Sequence, residues 1–269
     1  MLTKDLHEKT ALALLLVSPP LYLLLRYQVV APFGKHSSDN WGPTINPNLA
    51  WFLFESPNLV WSIYAYCNRK HAVFGASKAN ACLLSLFTIH YINRCIVYPL
   101  RMSNGSQRVN LAVLSSALGF CTVNGFLQAM HYCSFHAYPE SFHRSPTFLI
   151  GCSIWLVGFL LNLQADATLR NLRNTNTPQR GSAKAMLTSS STYKIPYGGL
   201  FRYTSCANFC GEIIEWFGYA VASQSLPAWA FFVWVCANLI PRGIAHHRWY
   251  LDKFEDYPKD RWAVIPGIV

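Results

Sequence analysis

The chain has 269 residues, of which 52% are hydrophobic, 15% are aromatic and only 13% are charged. Soluble globular proteins carry about 25% charged residues, so this composition favours a membrane protein. The net charge of +10 could suggest nucleic-acid binding, but the basic residues lie between apolar runs rather than on one continuous face, which argues against nucleic acid as a partner.

Seven apolar runs are long enough to cross a bilayer, and they predict an all-α fold, a polytopic membrane protein built as a seven-transmembrane-helix bundle. The first run follows a basic N-terminus, as in a signal peptide. It lacks a small-residue cleavage site, however, which favours a retained helix. No linker divides the chain, so we expect one transmembrane domain over residues 1–269. The runs are 10–30, 47–66, 79–98, 109–133, 146–165, 205–222 and 225–241.

The segments between the runs predict loops and an orientation. Residues 174–192 are rich in Ser and Thr with Pro and Gly, and we expect a mobile cytosolic loop there. Loops on one side carry 14 Lys and Arg, and loops on the other carry six. Because cytosolic loops hold the basic excess, we expect the C-terminus in the cytosol. The first side comprises 31–46, 98–108, 166–204 and 242–269, and the second comprises 1–9, 67–78 and 134–145.

Polar and ionisable residues lie inside several runs, where they are costly and are functional candidates by default. They recur at helical spacing, so each set occupies one face of its helix. Faces from at least four helices predict a shared cavity on the basic, cytosolic side. The sets are Tyr91, Arg94 and Tyr98; Asn162, Asp166, Arg170 and Arg173; Asn208, Glu212, Glu215 and Tyr219; and Arg242, His246 and Tyr250, with Glu55 alone before a proline.

The residue types in this cavity suit a nucleotide cofactor. Arg94, Arg173 and Arg242 are candidates for phosphate binding, because a guanidinium pairs with phosphate through two hydrogen bonds. No G-x-G-x-x-G or G-x-x-x-x-G-K-[ST] motif occurs, so neither a Rossmann domain nor a P-loop is predicted. The nine cysteines form no C-x-x-C pair, and we predict no metal site. The alternative is a set of ion pairs and helix-end residues that hold the bundle together.

Five segments go beyond these general features: APFGKH (31–36), WFLFESP (51–57), HYINR (90–94), IPYGGLFRYTSCANFCGEIIEWFGY (195–219) and HHRWYLDKFEDYPKDRWAVIP (246–266). In order and spacing they closely resemble the steroid 5α-reductases, or 3-oxo-5α-steroid 4-dehydrogenases. The resemblance implies a seven-helix enzyme of the endoplasmic-reticulum membrane that uses NADPH. It also implies the reaction, which is reduction of the 4,5 double bond of 3-oxo-4-ene steroids to 5α-3-oxosteroids.

The resemblance also implies roles for individual residues. Glu55 and Tyr91 match the pair that hydrogen-bonds the steroid 3-keto oxygen, which makes them the predicted catalytic residues. Trp216 matches a steroid-lining aromatic residue, and Trp51 is a weaker match for substrate binding. Arg94, with its phosphate-binding chemistry, joins the predicted cofactor-binding residues. The others are Asn162, Asp166, Arg173, Tyr193, Asn208, Glu212, Arg242, His246 and Tyr250.

Three departures from the family pattern concern substrate preference and the dynamics of the loop beside the cofactor. Phe33 stands where many members have tyrosine, Asn93 replaces the usual histidine, and the 174–192 loop is longer. The expected partners are a steroid or sterol-derived 3-oxo-4-ene substrate and the lipid bilayer, with the protein as a monomer.

Other classes remain open at this point. A related membrane reductase of polyprenol or enoyl-thioester lipids shares the C-terminal half of the pattern, but WFLFESP together with HYINR favours a steroid. A membrane methyltransferase using S-adenosylmethionine would have little need for three phosphate-binding arginines. A non-enzymatic scaffold or transporter should show internal repeats or paired broken spans, and the sequence shows neither.

Overall fold

The computed structural model describes residues 3–31, 36, 42–68, 77–102, 107–174 and 193–269. Within these ranges most of the chain is helical, and the predicted all-α membrane fold is confirmed. The described residues form seven helices of at least 15 residues: α1 (Lys4–Leu23), α2 (Pro47–Cys67), α3 (Lys78–Ile92), α4 (Leu111–Met130), α5 (Pro146–Asn174), α6 (Ala207–Ser223) and α7 (Leu226–Lys253). One short antiparallel ladder pairs β1 (Thr44–Ile45) with β2 (Val109–Asn110).

Five helical segments are long and apolar enough to cross a bilayer: Lys4–Gln28, Lys78–Leu100, Leu111–Phe135, Pro146–Arg173 and Leu226–Lys253. The other two long helices do not meet both criteria. Helix α6 has 17 residues, a length of about 26 Å at 1.5 Å per residue, and α2 has the length but is less apolar. The number of membrane crossings, seven, therefore stays a prediction.

Two helices run well beyond the apolar runs that predicted them. Helix α5 continues to Asn174 and α7 to Lys253, with Pro241 inside α7. The apolar runs therefore end before the helices do, whereas the helical spacing of the polar residues at 162–173 and 242–250 agrees with the helices that contain them. The physical reason is that a helix satisfies its backbone hydrogen bonds internally, so it does not need lipid around it to continue. Polar residues at these helix ends thus lie on ordered helix.

Helix starts and π-helical segments give the bundle its local geometry. Helix α2 begins where the Asn46 side chain accepts hydrogen bonds from the backbone N–H groups of Asn48 and Leu49, at 2.9 and 3.3 Å. Three of the helices end in five-residue π-helical segments: Leu24–Gln28 after α1, Asn93–Val97 after α3 and His131–Phe135 after α4. Such segments change the angle at which side chains leave a helix and are frequent at functional sites.

Helices α5 and α6 pack backbone against backbone through glycines. A Cβ atom placed on Gly158 of α5 would overlap the backbone of Glu215, and one placed on Gly218 of α6 would overlap the backbone of Trp155. Small residues allow this close approach, which larger side chains would prevent. The crossing brings the polar face of α5 directly against that of α6.

Two features predicted from the sequence lie outside the described residues. These are Phe33 and, from residue 175 onward, the 174–192 loop. Asn93 lies within them, as the first residue of the π-helical segment that follows α3. The single-domain organisation stays a prediction.

Candidate active site

Arg94 joins three helices at the centre of the site. It lies on the π-helical segment after α3 and is only 5% exposed. Its Nη1 donates to Asp166 Oδ2 at 2.8 Å, and its Nη2 donates to Glu212 Oε2 at 2.5 Å and to Asn162 Oδ1 at 3.1 Å. One guanidinium thus meets two carboxylates, and we refer to these four residues as the Arg94 cluster. With both carboxylates ionised, the cluster carries one net negative charge.

Neighbouring groups hold the Arg94 cluster in place. The Asn162 amide nitrogen donates to the Asn208 carbonyl oxygen at 2.9 Å, across the α5–α6 crossing. The Arg94 guanidinium carbon lies 5.4 Å from the Tyr98 ring centroid and 5.9 Å from that of Trp51. Rings at these distances stabilise the cation by cation–π attraction, while the carboxylates bind its N–H groups.

Tyr91 lies one helical turn before Arg94 and is 4% exposed. Its hydroxyl oxygen accepts a hydrogen bond from Asn124 Nδ2 of α4 at 3.2 Å. Its ring centroid lies 4.6 Å from that of Phe87 and 6.1 Å from that of Trp216. The Tyr91 hydroxyl is therefore the polar end of a buried aromatic wall.

Glu55 is half-buried on α2, where Cys121 Sγ of α4 donates to its Oε2 at 3.6 Å. Cys121 and Asn124 are three residues apart on α4, so the same face of α4 contacts both Glu55 and Tyr91. The two predicted catalytic side chains thus have separate protein partners, and one helix supplies both partners.

Glu215 pairs with a histidine. Its Oε1 lies 2.7 Å from His90 Nδ1, with both side chains buried. The His90 ring centroid lies 4.5 Å from that of Trp216. Glu215 and Trp216 therefore line the wall next to Tyr91, and His90 belongs to that wall as well.

A second group of predicted residues lies toward the end of α7. Arg242 Nη1 donates to Asn238 Oδ1 at 2.9 Å, and its guanidinium carbon lies 5.3 Å from the Phe209 ring centroid. His246 lies 5.8 Å from the same ring, and its Nδ1 is 3.2 Å from His36 Nε2. Arg242 and His246 thus share Phe209, which neighbours the predicted cofactor residue Asn208.

Tyr250 stacks on Tyr257, with ring centroids 5.1 Å apart and planes 8° apart. Tyr257 donates its hydroxyl proton to Ser205 Oγ at 2.7 Å, and that oxygen lies 2.6 Å from His247 Nδ1. Burial raises the pKa of Tyr257, an effect that its hydrogen bond to Ser205 opposes. This chain of contacts ties the C-terminal segment to the C-terminal end of α7.

Two predicted residues, Arg173 and Tyr193, lie at or beyond the end of α5 in the chain. Arg173 is exposed in the last turn of α5. Tyr193 is half-buried, and its ring packs edge-on against Trp249 with centroids 5.2 Å apart. The structure therefore brings most predicted residues together, but it distributes the cofactor candidates from the bundle interior to its polar end.

Sequence reasoning missed four polar residues of the site, namely His90, Asn58, Asn124 and Gln128. All four are buried. A signal was present for the last two, because they are polar residues four positions apart inside the apolar run 109–133. The same criterion had identified the other polar faces.

The chemistry of the site fits a bound dinucleotide and a ketone. Carboxylates and amides suit ribose and nicotinamide groups, and Arg173 and Arg242 suit phosphates. Within the described part of the chain, four buried polar atoms in the polar residues and wall around Tyr91 have no hydrogen-bond partner: Asn58 Nδ2, Gln128 Oε1, Glu215 Oε2 and Trp216 Nε1. Such atoms are rare in folded proteins and are typical of places where a ligand completes the site.

Comparisons with known proteins identify the family of this chain. The sequence profile described as "3-oxo-5-alpha-steroid 4-dehydrogenase" matches residues 107–269. The chain is 40% identical to the steroid 5-alpha-reductase DET2 of Gossypium hirsutum, over 98% of both chains. It is 39% identical to 3-oxo-5-alpha-steroid 4-dehydrogenase 1 of Mus musculus, over 90% of this chain and 89% of that one. The chain therefore belongs to the 3-oxo-5-alpha-steroid 4-dehydrogenase family of oxidoreductases, which act on CH–CH bonds.

Proposed function

We propose that this protein reduces the 4,5 double bond of a 3-oxo-4-ene steroid to the 5α-3-oxosteroid, with NADPH as reductant. The names of its relatives support the steroid. The observation that carries the proposal is the buried Tyr91 hydroxyl, which accepts from Asn124 beside the Trp216 wall. A hydroxyl that already accepts a hydrogen bond keeps its own proton for donation to a ketone oxygen.

Reduction at C5 builds negative charge on the steroid 3-keto oxygen. Bound NADPH supplies the hydride. Tyr91 donates a hydrogen bond to the developing oxyanion, and Glu55, when protonated, donates a second one or polarises Tyr91. The proton at C4 then comes from the medium, with water as the simplest source. The apolar wall of Phe87 and Trp216 keeps bulk water away from the reacting atoms.

We assign the cofactor to the polar faces of α5, α6 and α7. Arg173 and Arg242 would neutralise its phosphates. Asn208 and the two carboxylates of the Arg94 cluster would hold ribose hydroxyls or the carboxamide. Arg94 itself is already engaged by Asp166 and Glu212, so we assign it to orienting these carboxylates toward the cofactor. His246, Tyr250 and Tyr193 complete the predicted set.

The proposed setting is the endoplasmic-reticulum membrane, with the protein as a multi-pass monomer and its C-terminus in the cytosol. The basic excess of the loops that include the C-terminal segment supports this orientation. The steroid or sterol-derived substrate would come from the bilayer, and the cofactor from the cytosol.

The test uses the purified protein in detergent with NADPH and either testosterone or progesterone. We expect loss of NADPH absorbance and a product heavier by two hydrogens, with 5α stereochemistry. Tight NADPH binding without turnover of any 3-oxo-4-ene steroid would contradict the substrate class and direct the assay to polyprenols and enoyl thioesters. Absence of both binding and turnover would contradict the proposal entirely.

Replacing Glu55 tests its donor role. In Glu55→Gln we expect the protein to fold normally while turnover falls on the order of 10²-fold, the usual cost of losing one oxyanion donor. Turnover is measured by product formation, and folding by the thermal unfolding midpoint. Glu140→Gln is the matched control, because Glu140 is exposed on the short segment Glu140–Arg144. Unchanged turnover in Glu55→Gln would exclude Glu55 from this role.

A further inference from the structure

A row of buried side-chain amides leads from the start of α7 to Tyr91. Gln128 Nε2 donates to the Pro227 carbonyl oxygen at 3.0 Å and to Asn124 Oδ1 at 3.3 Å. Asn124 Nδ2 in turn donates to the Tyr91 hydroxyl oxygen at 3.2 Å and to Asn58 Oδ1 at 3.3 Å. The three amide residues are fully buried. We refer to Gln128 and Asn124, with their contacts to Pro227 and Tyr91, as the amide relay.

The direction of the amide relay is fixed by its first member. The Pro227 carbonyl can only accept, so the end of Gln128 that faces it must be the NH₂ group. That NH₂ group also faces Asn124, whose near atom must therefore be its carbonyl oxygen. The NH₂ group of Asn124 is then left to face Tyr91. Reversing Gln128 would set its oxygen against the oxygens of Pro227 and Asn124, and reversing Asn124 would set its NH₂ group against that of Gln128. Leaving such groups unpaired in a buried place costs about 1–3 kcal/mol.

This direction decides what Tyr91 can do. A phenol can donate one hydrogen bond and accept others. With the Asn124 NH₂ group donating to its oxygen, the Tyr91 hydroxyl proton cannot point toward α4. Among the described residues Asn124 is the one hydrogen-bond partner of this hydroxyl, so its proton is available to another acceptor. The N–H donated by Asn124 also stabilises negative charge that develops on the Tyr91 oxygen as its proton is drawn to a ketone.

We infer that Asn124 and Gln128 are positioning residues for the reduction, and that they act by holding the Tyr91 hydroxyl as a donor toward the steroid 3-keto oxygen. This inference rests on the proposed function. The relay starts at a rigid point, because Ser225 Oγ caps the first turn of α7 by accepting from the Ala228 backbone N–H at 3.3 Å. Asn124 and Gln128 are four residues apart on α4, on the face that also holds Cys121 against Glu55.

A double-mutant cycle tests the inference. Tyr91→Phe should lower kcat on the order of 10²-fold by removing one oxyanion donor, and Asn124→Leu should lower it about 10-fold to 10²-fold by releasing that donor. Because Asn124 acts only through the Tyr91 hydroxyl, the double variant should be no slower than Tyr91→Phe alone. KM for the steroid should change little in all three variants, because the lost hydrogen bond stabilises the charge that develops in the transition state.

A second variant keeps the inference testable if Asn124→Leu does not fold. Gln128→Met preserves the size of the side chain and leaves Asn124 in place. The Asn124 amide is then free to rotate, because it has lost its contact with the Gln128 NH₂ group. We expect Gln128→Met to lower kcat about 10-fold or less in the wild-type protein. The same substitution should cause no further loss when Tyr91→Phe is already present. Asn80→Leu is the matched control, because Asn80 is another fully buried amide, which donates to the carbonyl oxygens of Tyr132 and His136 at 2.8 and 2.6 Å. It should lower the unfolding midpoint and leave kcat of the folded protein unchanged.

The outcomes separate the inference from the proposed function. Independent, multiplying losses in the double variant would show that Asn124 has a structural role and would overturn the inference while leaving the reaction intact. A loss of kcat in Asn80→Leu equal to that in Asn124→Leu would overturn it as well. A wild-type protein that does not reduce 3-oxo-4-ene steroids would instead refute the proposed function itself.

Discussion

Arg94 is the residue on which the buried charges of the site depend. If it is replaced by methionine, Asp166 and Glu212 lose the cation that compensates them, although both lie inside the bundle. We expect Arg94→Met to destabilise the fold by about 3–5 kcal/mol, the usual cost of breaking a buried ion pair from one side. The measurement is the unfolding midpoint in detergent.

Arg144→Met is the control for this prediction, since Arg144 is exposed on the segment Glu140–Arg144. A surface substitution of this kind should stay within about 0.5 kcal/mol of the parent. An Arg94→Met protein as stable as this control would mean that the two carboxylates are neutral or solvated, and the charge balance of the Arg94 cluster would have to be revised.

At the residue scale, the sequence predicts which residues belong to the site better than it predicts which of them contact one another. Helical spacing of polar residues in apolar runs singled out Arg94, Asn162, Asp166 and Glu212, which the structure joins. The pairing of Glu215 with His90 could not be predicted, because it depends on the rotation of α3 relative to α6. Sequence spacing describes one helix at a time and carries no information on that rotation.

At the element scale, the α5–α6 crossing sets the position of the polar faces. Gly158→Ala should separate the two helices, because the new Cβ would overlap the backbone of Glu215 and cannot be relieved by turning a side chain. We expect a loss of stability of about 1–3 kcal/mol, typical of overpacking, and a weakened affinity for NADPH, since the faces of α5 and α6 would no longer meet. Thermal unfolding and cofactor binding by fluorescence measure the two effects.

Gly119→Ala is the matched control for the crossing. Gly119 is also a helical glycine, on α4, but a Cβ there meets nothing within 4 Å. It should stabilise the protein slightly, by about 0.4–1 kcal/mol, because alanine has less backbone freedom to lose on folding. If Gly158→Ala behaves like Gly119→Ala, the close backbone approach is not required for the site.

Hydropathy predicted the existence of each long helix but not its ends. Apolar runs report contact with lipid, whereas α5 and α7 continue as helix through polar sequence to Asn174 and Lys253. The π-helical segment that carries Arg94 had no signal in the sequence, because one extra residue in a helical turn leaves the residue types unchanged.

At the scale of the whole molecule, orientation can be tested directly. We expect an N-glycosylation acceptor tag appended to the N-terminus to be modified in endoplasmic-reticulum microsomes, and the same tag at the C-terminus to remain unmodified. The reason is that loops with the basic excess face the cytosol, and the C-terminal segment is one of these loops in the proposed orientation. A shift in mass that is reversed by glycosidase reports the modification. An N-terminal tag whose acceptor asparagine is changed to glutamine is the control, and glycosylation at the C-terminus would contradict the proposed orientation.

The length of α7 has a consequence for where the reaction occurs. Its 28 residues span about 42 Å at 1.5 Å per residue, whereas the hydrocarbon core of a bilayer is about 30 Å thick. Part of the helix must therefore stand in the headgroup layer or beyond it, and its polar end, with Arg242, His246 and Tyr250, is the part suited to do so. On the proposed function, a water-soluble reductant would enter the bundle from this end and an oil-soluble substrate from the bilayer, and the hydride would pass between them inside the protein. The protein would then work as an interfacial catalyst, which joins two reactants that dissolve in different phases.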